Sequence, residues 1–223
     1  MITRIVAVCL LSVGWVATAA DAHSVAFRLG AFAPRIDSAL WADNFETFTI
    51  ERGDFDAVIG GVEVGVELSD HADLSFGVET SSKTVLSMYR DFVRDDGTEI
   101  LQDLSLRTTP ITVGVRVFPI SKTQRVLPYV TGGAAFYVYD YREEGEFVDL
   151  DTLDIFGDVF VDRGVAYGAY LGAGVELGVT DRVFGLAEYR RHWGRASHGD
   201  DFDGFGGFDL SANEVSFGVN LRF

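Results

Sequence analysis

Cysteine is almost missing from this 223-residue chain: Cys9 is the only one. It lies in the first apolar stretch, too early and without the small-residue lipobox of a lipoprotein. The rest of the chain therefore carries no disulfide and no thiol chemistry. A hydrophobic run of spanning length is also missing, since a helix needs roughly 20 apolar residues to cross a bilayer. An inner-membrane helical protein is thereby excluded, and only a barrel would put the chain across a membrane. Basic residues are scarce, 18 Lys and Arg against 34 Asp and Glu, for a formal net charge of −16. Such a chain offers no patch for nucleic acid. No long stretch of 3.6-residue periodicity occurs, and no glycine-rich strand end leads into a helix to cradle a phosphate.

Met1-Ile-Thr-Arg4, the apolar run Ile5 to Ala17 and the small residues after it have the three-part layout of a secretory signal peptide. Cleavage after Ala22 is favoured, which leaves residues 23–223 as one domain. At the other end, Val215, Phe217, Val219, Leu221 and Phe223 alternate with Glu214, Ser216, Gly218, Asn220 and Arg222. Side chains of a strand point alternately to opposite faces, so this segment has one apolar and one polar or minimal face. It resembles the terminal-strand signature of outer-membrane β-barrels, which implies recognition by the barrel assembly machinery.

The same alternation recurs along the chain. Strands are read from Val25 to Arg35, Ala57 to Leu68, Asp73 to Tyr89, Leu104 to Phe118, Leu127 to Tyr141, Val165 to Val179, Val183 to Trp193 and over the terminal segment. The faces of Leu127–Tyr141 cannot be oriented from the pattern. A soluble barrel would show the same period with apolar residues inside, so the connections decide. Those at 69–72, 121–125 and 180–182 are short, whereas 36–56, 90–103, 142–163 and 194–211 are long, acidic and irregular. Strict alternation of short and long connections suits a membrane barrel with short periplasmic turns and long outer loops. The expected fold is all-β, an eight-stranded antiparallel up-and-down transmembrane barrel, or ten-stranded if Phe45–Ile50 pairs within the first long loop. An even count places both termini in the periplasm.

Leu29-Gly-Ala-Phe-Ala-Pro-Arg-Ile-Asp37, Leu127-Pro-Tyr-Val-Thr-Gly-Gly133 and Glu188-Tyr-Arg190 are similar to recurrent strand phrases of outer-membrane β-barrel-domain proteins. The mature chain resembles the OmpA transmembrane domain and OmpX in plan, without the peptidoglycan-binding domain of full-length OmpA. The resemblance implies an address in the bacterial outer membrane, with lipid and lipopolysaccharide as neighbours and a monomeric state.

With the apolar faces outward, Arg28, Glu63, Glu67, Glu79, Arg116, Glu176, Glu188, Arg190 and Arg222 face the interior. An eight-stranded barrel is only wide enough to be filled by side chains. Buried charges must pair there, so a plugged interior is expected, with a narrow channel for ions or small solutes as the second reading. Trp41, Tyr89, Tyr141 and Trp193 fall near the outer strand ends, as an aromatic girdle would. Abundant glycine on inward faces is read as room for the charged side chains. The loop carboxylates Asp149, Asp151 and Asp154, and Asp200, Asp201 and Asp203, lack the spacing of a calcium loop and are read as solvated faces. His192, Ser197, His198 and Asp200 are the residues a hydrolase would use, but the histidine–x–serine phrase of lipid A deacylases is missing. His23 would head the mature chain. Neither catalysis, a metal nor a cofactor is expected, and the role is read as structural or surface-interacting.

Overall fold

A computed structural model describes residues 24–149, 151–197, 202 and 207–223. The leader read at 1–22, together with His23, His198, Asp200, Asp201 and Asp203, lies outside the described residues, as does the side chain of Ser197. The alternating segments form β1 (Ser24–Pro34), β2 (Ala57–Ser69), β3 (Ala72–Val93), β4 (Glu99–Val117), β5 (Val126–Val148), β6 (Ile155–Gly178), β7 (Val183–Ser197), β8 (Gly207–Asp209) and β9 (Ala212–Arg222). Strands β1 to β7 pair antiparallel in sequence; β7 pairs with β9, and β9 returns to β1. Eight strands therefore close a ring, and a closed ring leaves no unpaired edge. The three-residue β8 adds a strip to the Ser197 end of β7.

Period-two alternation sorts the side chains. On β1, Phe27 and Leu29 point outward while Ala26 and Arg28 are buried inside. On β9, Val215, Phe217 and Val219 are exposed outward, with Leu221 on the same face, and Glu214, Ser216 and Asn220 are buried. A soluble protein would not spread exposed apolar side chains around its whole circumference, whereas hydrocarbon requires it. The face order of β5 is also settled: Leu127, Tyr129, Tyr137, Tyr139 and Tyr141 are buried, and Val130, Phe136 and Val138 are exposed outward.

Two long connections differ from expectation. Residues 90–103 and 142–163 are not irregular loops but largely continue β3–β4 and β5–β6 upward as paired hairpins. Ladder hydrogen bonds need no apolar side chains, so pairing persists where the outward residues become polar. The inward residues there, Ile100, Phe147 and Val148, stay buried and give the extension a core.

The first long connection holds a helix, α1 (Ala39–Thr47), and a 3₁₀ turn at Arg52–Phe55. The additional strand at Phe45–Ile50 does not form, beyond a single bridge from Phe48 to Tyr89. Leu40, Trp41 and Asn44 lie on one helical face and are buried. Phe45, Glu46 and Thr47 are instead the last turn of this helix.

Candidate functional site

The barrel interior is the site, in two storeys. In the lower one, Arg28 from β1 donates from Nη1 to Glu188 Oε1 at 2.9 Å and from Nη2 to Glu63 Oε1 at 3.1 Å. Arg116 from β4 donates to Glu176 Oε1 at 2.8 Å and also to Glu63. Arg190 from β7 donates to Glu79 Oε2 at 3.0 Å and binds both Glu63 and Glu188. Glu63 thus receives three guanidinium groups from three different strands. All these side chains are essentially enclosed, Arg28 and Arg190 with no exposed side-chain surface. Isolated charges so buried would each cost several kcal/mol, so the network stands only because its members pair.

Neutral partners complete it. Tyr129 donates to Glu188 Oε2 at 2.5 Å, and Asn220 to Glu176 Oε1 at 2.9 Å. Arg222 donates to Glu176 Oε2 at 2.5 Å from the rim that holds the chain terminus and lies over the Phe184 ring at 4.0 Å. The guanidinium of Arg116 stacks over Tyr129 at 4.5 Å, and that of Arg190 over Tyr170 at 5.2 Å. Small residues opposite make room for these rings: a Cβ on Gly174 would come 2.6 Å from the Tyr129 hydroxyl.

Of the expected interior charges, Glu67 does not join. It lies exposed at the end of β2 and faces Lys122 at 3.7 Å. It stands four residues beyond Glu63, where β2 pairs with Asp73 beside the short connection at the rim. Sequence reasoning missed Glu214, which meets His192 Nε2 at 3.0 Å, with Tyr137 O–H 3.2 Å from His192 Nδ1. His192 is fully buried between them.

The upper storey is aromatic. Trp41 of α1 packs edge-on to Phe55 at 4.7 Å and Tyr141 at 5.2 Å, and stacks on Phe208 at 5.9 Å. Asn44 donates to Tyr141 O–H and to Glu143 Oε1, each at 2.8 Å, and Tyr141 donates to Glu143 at 2.5 Å. Tyr89 accepts the Val148 N–H at 3.1 Å and meets Phe48 at 5.0 Å. Trp41, Tyr89 and Tyr141 are therefore not girdle residues. Their positions fall on the inward face, where the folded-in connection buries them. Trp193 alone of the four is exposed on the outward face.

Glu143 lies on β5 above the apolar band. Burial pushes its carboxyl above the ordinary range, partly offset by hydrogen bonds from Tyr141 and Asn44. A raised carboxyl binds its proton more tightly when folded than when unfolded, so its contribution is complete at acidic pH and is lost as pH rises through the raised value. Docking of α1 should accordingly loosen from acidic to neutral pH. Protease cleavage within residues 36–56 that does not change over that interval would contradict this.

Elsewhere the carboxylates serve their own loops. Asp149 Oδ1 accepts the N–H of Asp151 at 2.9 Å and of Thr152 at 3.1 Å, which holds its carboxyl below the ordinary range. Among the described residues no three or more histidine, cysteine or acidic side chains converge as metal ligands would.

An eight-stranded closed barrel with apolar outer faces and a charged interior defines the class of small outer-membrane barrels. The chain belongs to the outer membrane protein beta-barrel domain family, whose pattern it matches over residues 5–223, which places it in the bacterial outer membrane. In fold it is similar to the outer membrane protein OprG of Pseudomonas aeruginosa, with a TM-score of 0.53 and 10% identity over 91% of this chain and 97% of that one. The N-terminal barrel domain of Pseudomonas aeruginosa OprF shares 14% identity over 90% and 98% of the two chains, with a TM-score of 0.44. Neisserial surface protein A shares 15% identity over 90% and 96%, with a TM-score of 0.46. No curated protein matches the sequence significantly.

Proposed function

We propose that this protein is a closed, non-enzymatic barrel that presents the β3–β4 and β5–β6 hairpins at the cell surface, with both termini in the periplasm. The observation that carries the reading is the double seal: below, a buried ion network in which every charged group has a partner, and above, a docked helix with a buried Trp41. Side chains packed at these two levels leave the interior filled, as the small diameter of an eight-stranded ring favours. The hairpin ends are acidic, with Asp95, Asp96 and Glu99 on one and Asp149, Asp151 and Asp154 on the other, so they suit a structural role or contact with a basic partner. The enclosed His192, already shared by Glu214 and Tyr137, supports the non-enzymatic reading, because a hydrolytic base must reach its substrate. The apolar alternation of β9 supports delivery by the barrel assembly machinery.

A second reading, a narrow channel, draws on the sharing of Glu63 among Arg28, Arg116 and Arg190. A network with several alternative pairings has more than one closed arrangement and offers a route to an open one.

The orientation is tested on intact cells. Protease added outside should cut in the β5–β6 hairpin, and a tag after Phe223 should become accessible only after the outer membrane is permeabilised. An externally accessible tag would overturn the topology.

A further inference from the structure

The ladder between β4 and β5 has its last rung at Gln102 and Gly145. Each hairpin continues beyond it, β3–β4 to Val93 opposite Glu99 and β5–β6 to Val148 opposite Ile155. Gly145 has a φ of +148°, a conformation that favours glycine, and a Cβ there would come 2.5 Å from the Leu101 carbonyl oxygen. Above this rung a cleft of about 610 Å³ opens between the two tips. It is lined by the buried Ile100 and Val148 and by Phe92, Val93, Leu153 and Ile155. Val93 and Leu153 are 58% and 64% exposed, so much of this apolar lining meets water. Three exposed carboxylates complete the lining, Asp95 and Asp96 on one tip and Asp154 on the other. Arg94 also lines the cleft, but it reaches across to Glu146 and is neutralised there. Asp95 and Asp154 have no ion-pair partner among the described residues. Hydrogen bonds from Thr98 hold the Asp96 carboxyl below the ordinary range, so it stays charged.

We propose that this cleft binds a cationic peptide segment of a partner protein, one that sets apolar side chains between basic ones. Apolar surface left open to water is stabilised when a partner covers it. The carboxylates select what covers it. They stand on both tips and so flank the apolar lining on two sides, which an apolar anchor with basic neighbours on either side complements. A second copy of this chain does not fit, because its tips carry the same carboxylates and its net charge is −16. Phosphate-bearing ligands meet the same repulsion. This deepens the proposed contact of the hairpin ends with a basic partner and rests on that reading. The side of the membrane on which the tips lie is tested separately on cells. Binding to the barrel in lipid discs, which leave both ends of the ring open to solution, does not depend on it.

The refolded barrel in phosphatidylcholine nanodiscs is titrated against fluorescein-labelled, end-blocked peptides, with binding read by anisotropy. The probe is Lys-Lys-Phe-Leu-Lys-Lys. One comparison peptide replaces Phe-Leu by Ser-Ser, and the other replaces every Lys by Glu. The barrel variants are Val93→Thr with Leu153→Asn, Asp95→Asn with Asp154→Asn, and, as a control at the other end of the ring, Asp181→Asn. Leu153 has a φ of 62°, a left-handed conformation that asparagine adopts more readily than leucine, so loss of fold cannot account for the effect of Leu153→Asn. The probe should bind wild type saturably, and both comparison peptides at least roughly tenfold more weakly. Loss of the apolar pair should weaken probe binding by about tenfold, and loss of the two exposed carboxylates by about fivefold. Asp181→Asn should change nothing. No saturable binding of the probe, equal binding of either comparison peptide, or cleft variants that bind the probe as wild type does would each overturn the proposal.

Discussion

Glu63→Ala should destabilise the barrel by about 3–5 kcal/mol, the cost of stranding buried charge by deleting its partner. Arg28, Arg116 and Arg190 all donate to this one carboxylate, and none has exposed side-chain surface to turn toward water beyond a few per cent. Arg190 keeps Glu79 and Glu188, Arg116 keeps Glu176, and Arg28 keeps Glu188. With Arg222 also drawing on Glu176, four arginines would then share three carboxylates, one positive charge too many around the hole. Glu63→Gln, which retains an acceptor but not the charge, should fall between. Glu67→Ala, at the exposed rim, should change stability by less than about 1 kcal/mol, as exposed ion pairs do. Urea unfolding followed by the mobility difference between heated and unheated samples reads all three. A Glu63→Ala barrel within about 1 kcal/mol of wild type would show that water inside the ring already solvates the arginines.

Trp41→Ala should release the first long connection while leaving the ring folded. The indole is completely buried against Phe55, Tyr141 and Phe208. Removing such a ring from a packed core costs about 3–5 kcal/mol. A nine-residue helix is too short to persist alone in water, so α1 depends on this docking. Asn44 would retain its bonds to Tyr141 and Glu143, which do not replace the lost packing. The expected result is rapid proteolysis within residues 36–56 with the ring's heat-modifiability unchanged, because the ion network lies in a separate storey. Protection equal to wild type would mean that Ile36, Phe48, Ile50 and Phe55 hold the connection without the indole.

What could be read from the residues alone follows from physical range. Alternation is a property of neighbouring residues, and so β1, β2, β4, β6 and β9 and their lipid faces were legible. The interior charges followed from the same alternation, since Arg28, Glu63, Glu79, Arg116, Glu176, Glu188 and Arg190 each lie opposite an apolar face. The faces of β5 were not legible, although the strand was, because Phe136 and Val138 on one face and Tyr137 and Tyr139 on the other are all large and partly apolar. The three tyrosines at 137, 139 and 141 are the signal that an interior face carries hydroxyl-bearing rings. The burial of Trp41 depends on a helix folding back into the ring, a contact between residues about 100 positions apart in sequence. Nothing local to residues 36–56 reveals that the cavity above the ion network is there to receive them. The pairing of His192 with Glu214 is likewise set by the register of β7 on β9.

Single-channel recording of the refolded mature protein in a planar bilayer, at several ionic strengths, bears most directly on the closed interior. Wild type and Trp41→Ala should both be silent, since the lower storey alone blocks the ring. Glu63→Ala, if it inserts, should show discrete openings. Regular conductance steps from the wild type, with insertion verified by heat-modifiability, would contradict a sealed barrel and establish the network as a gate.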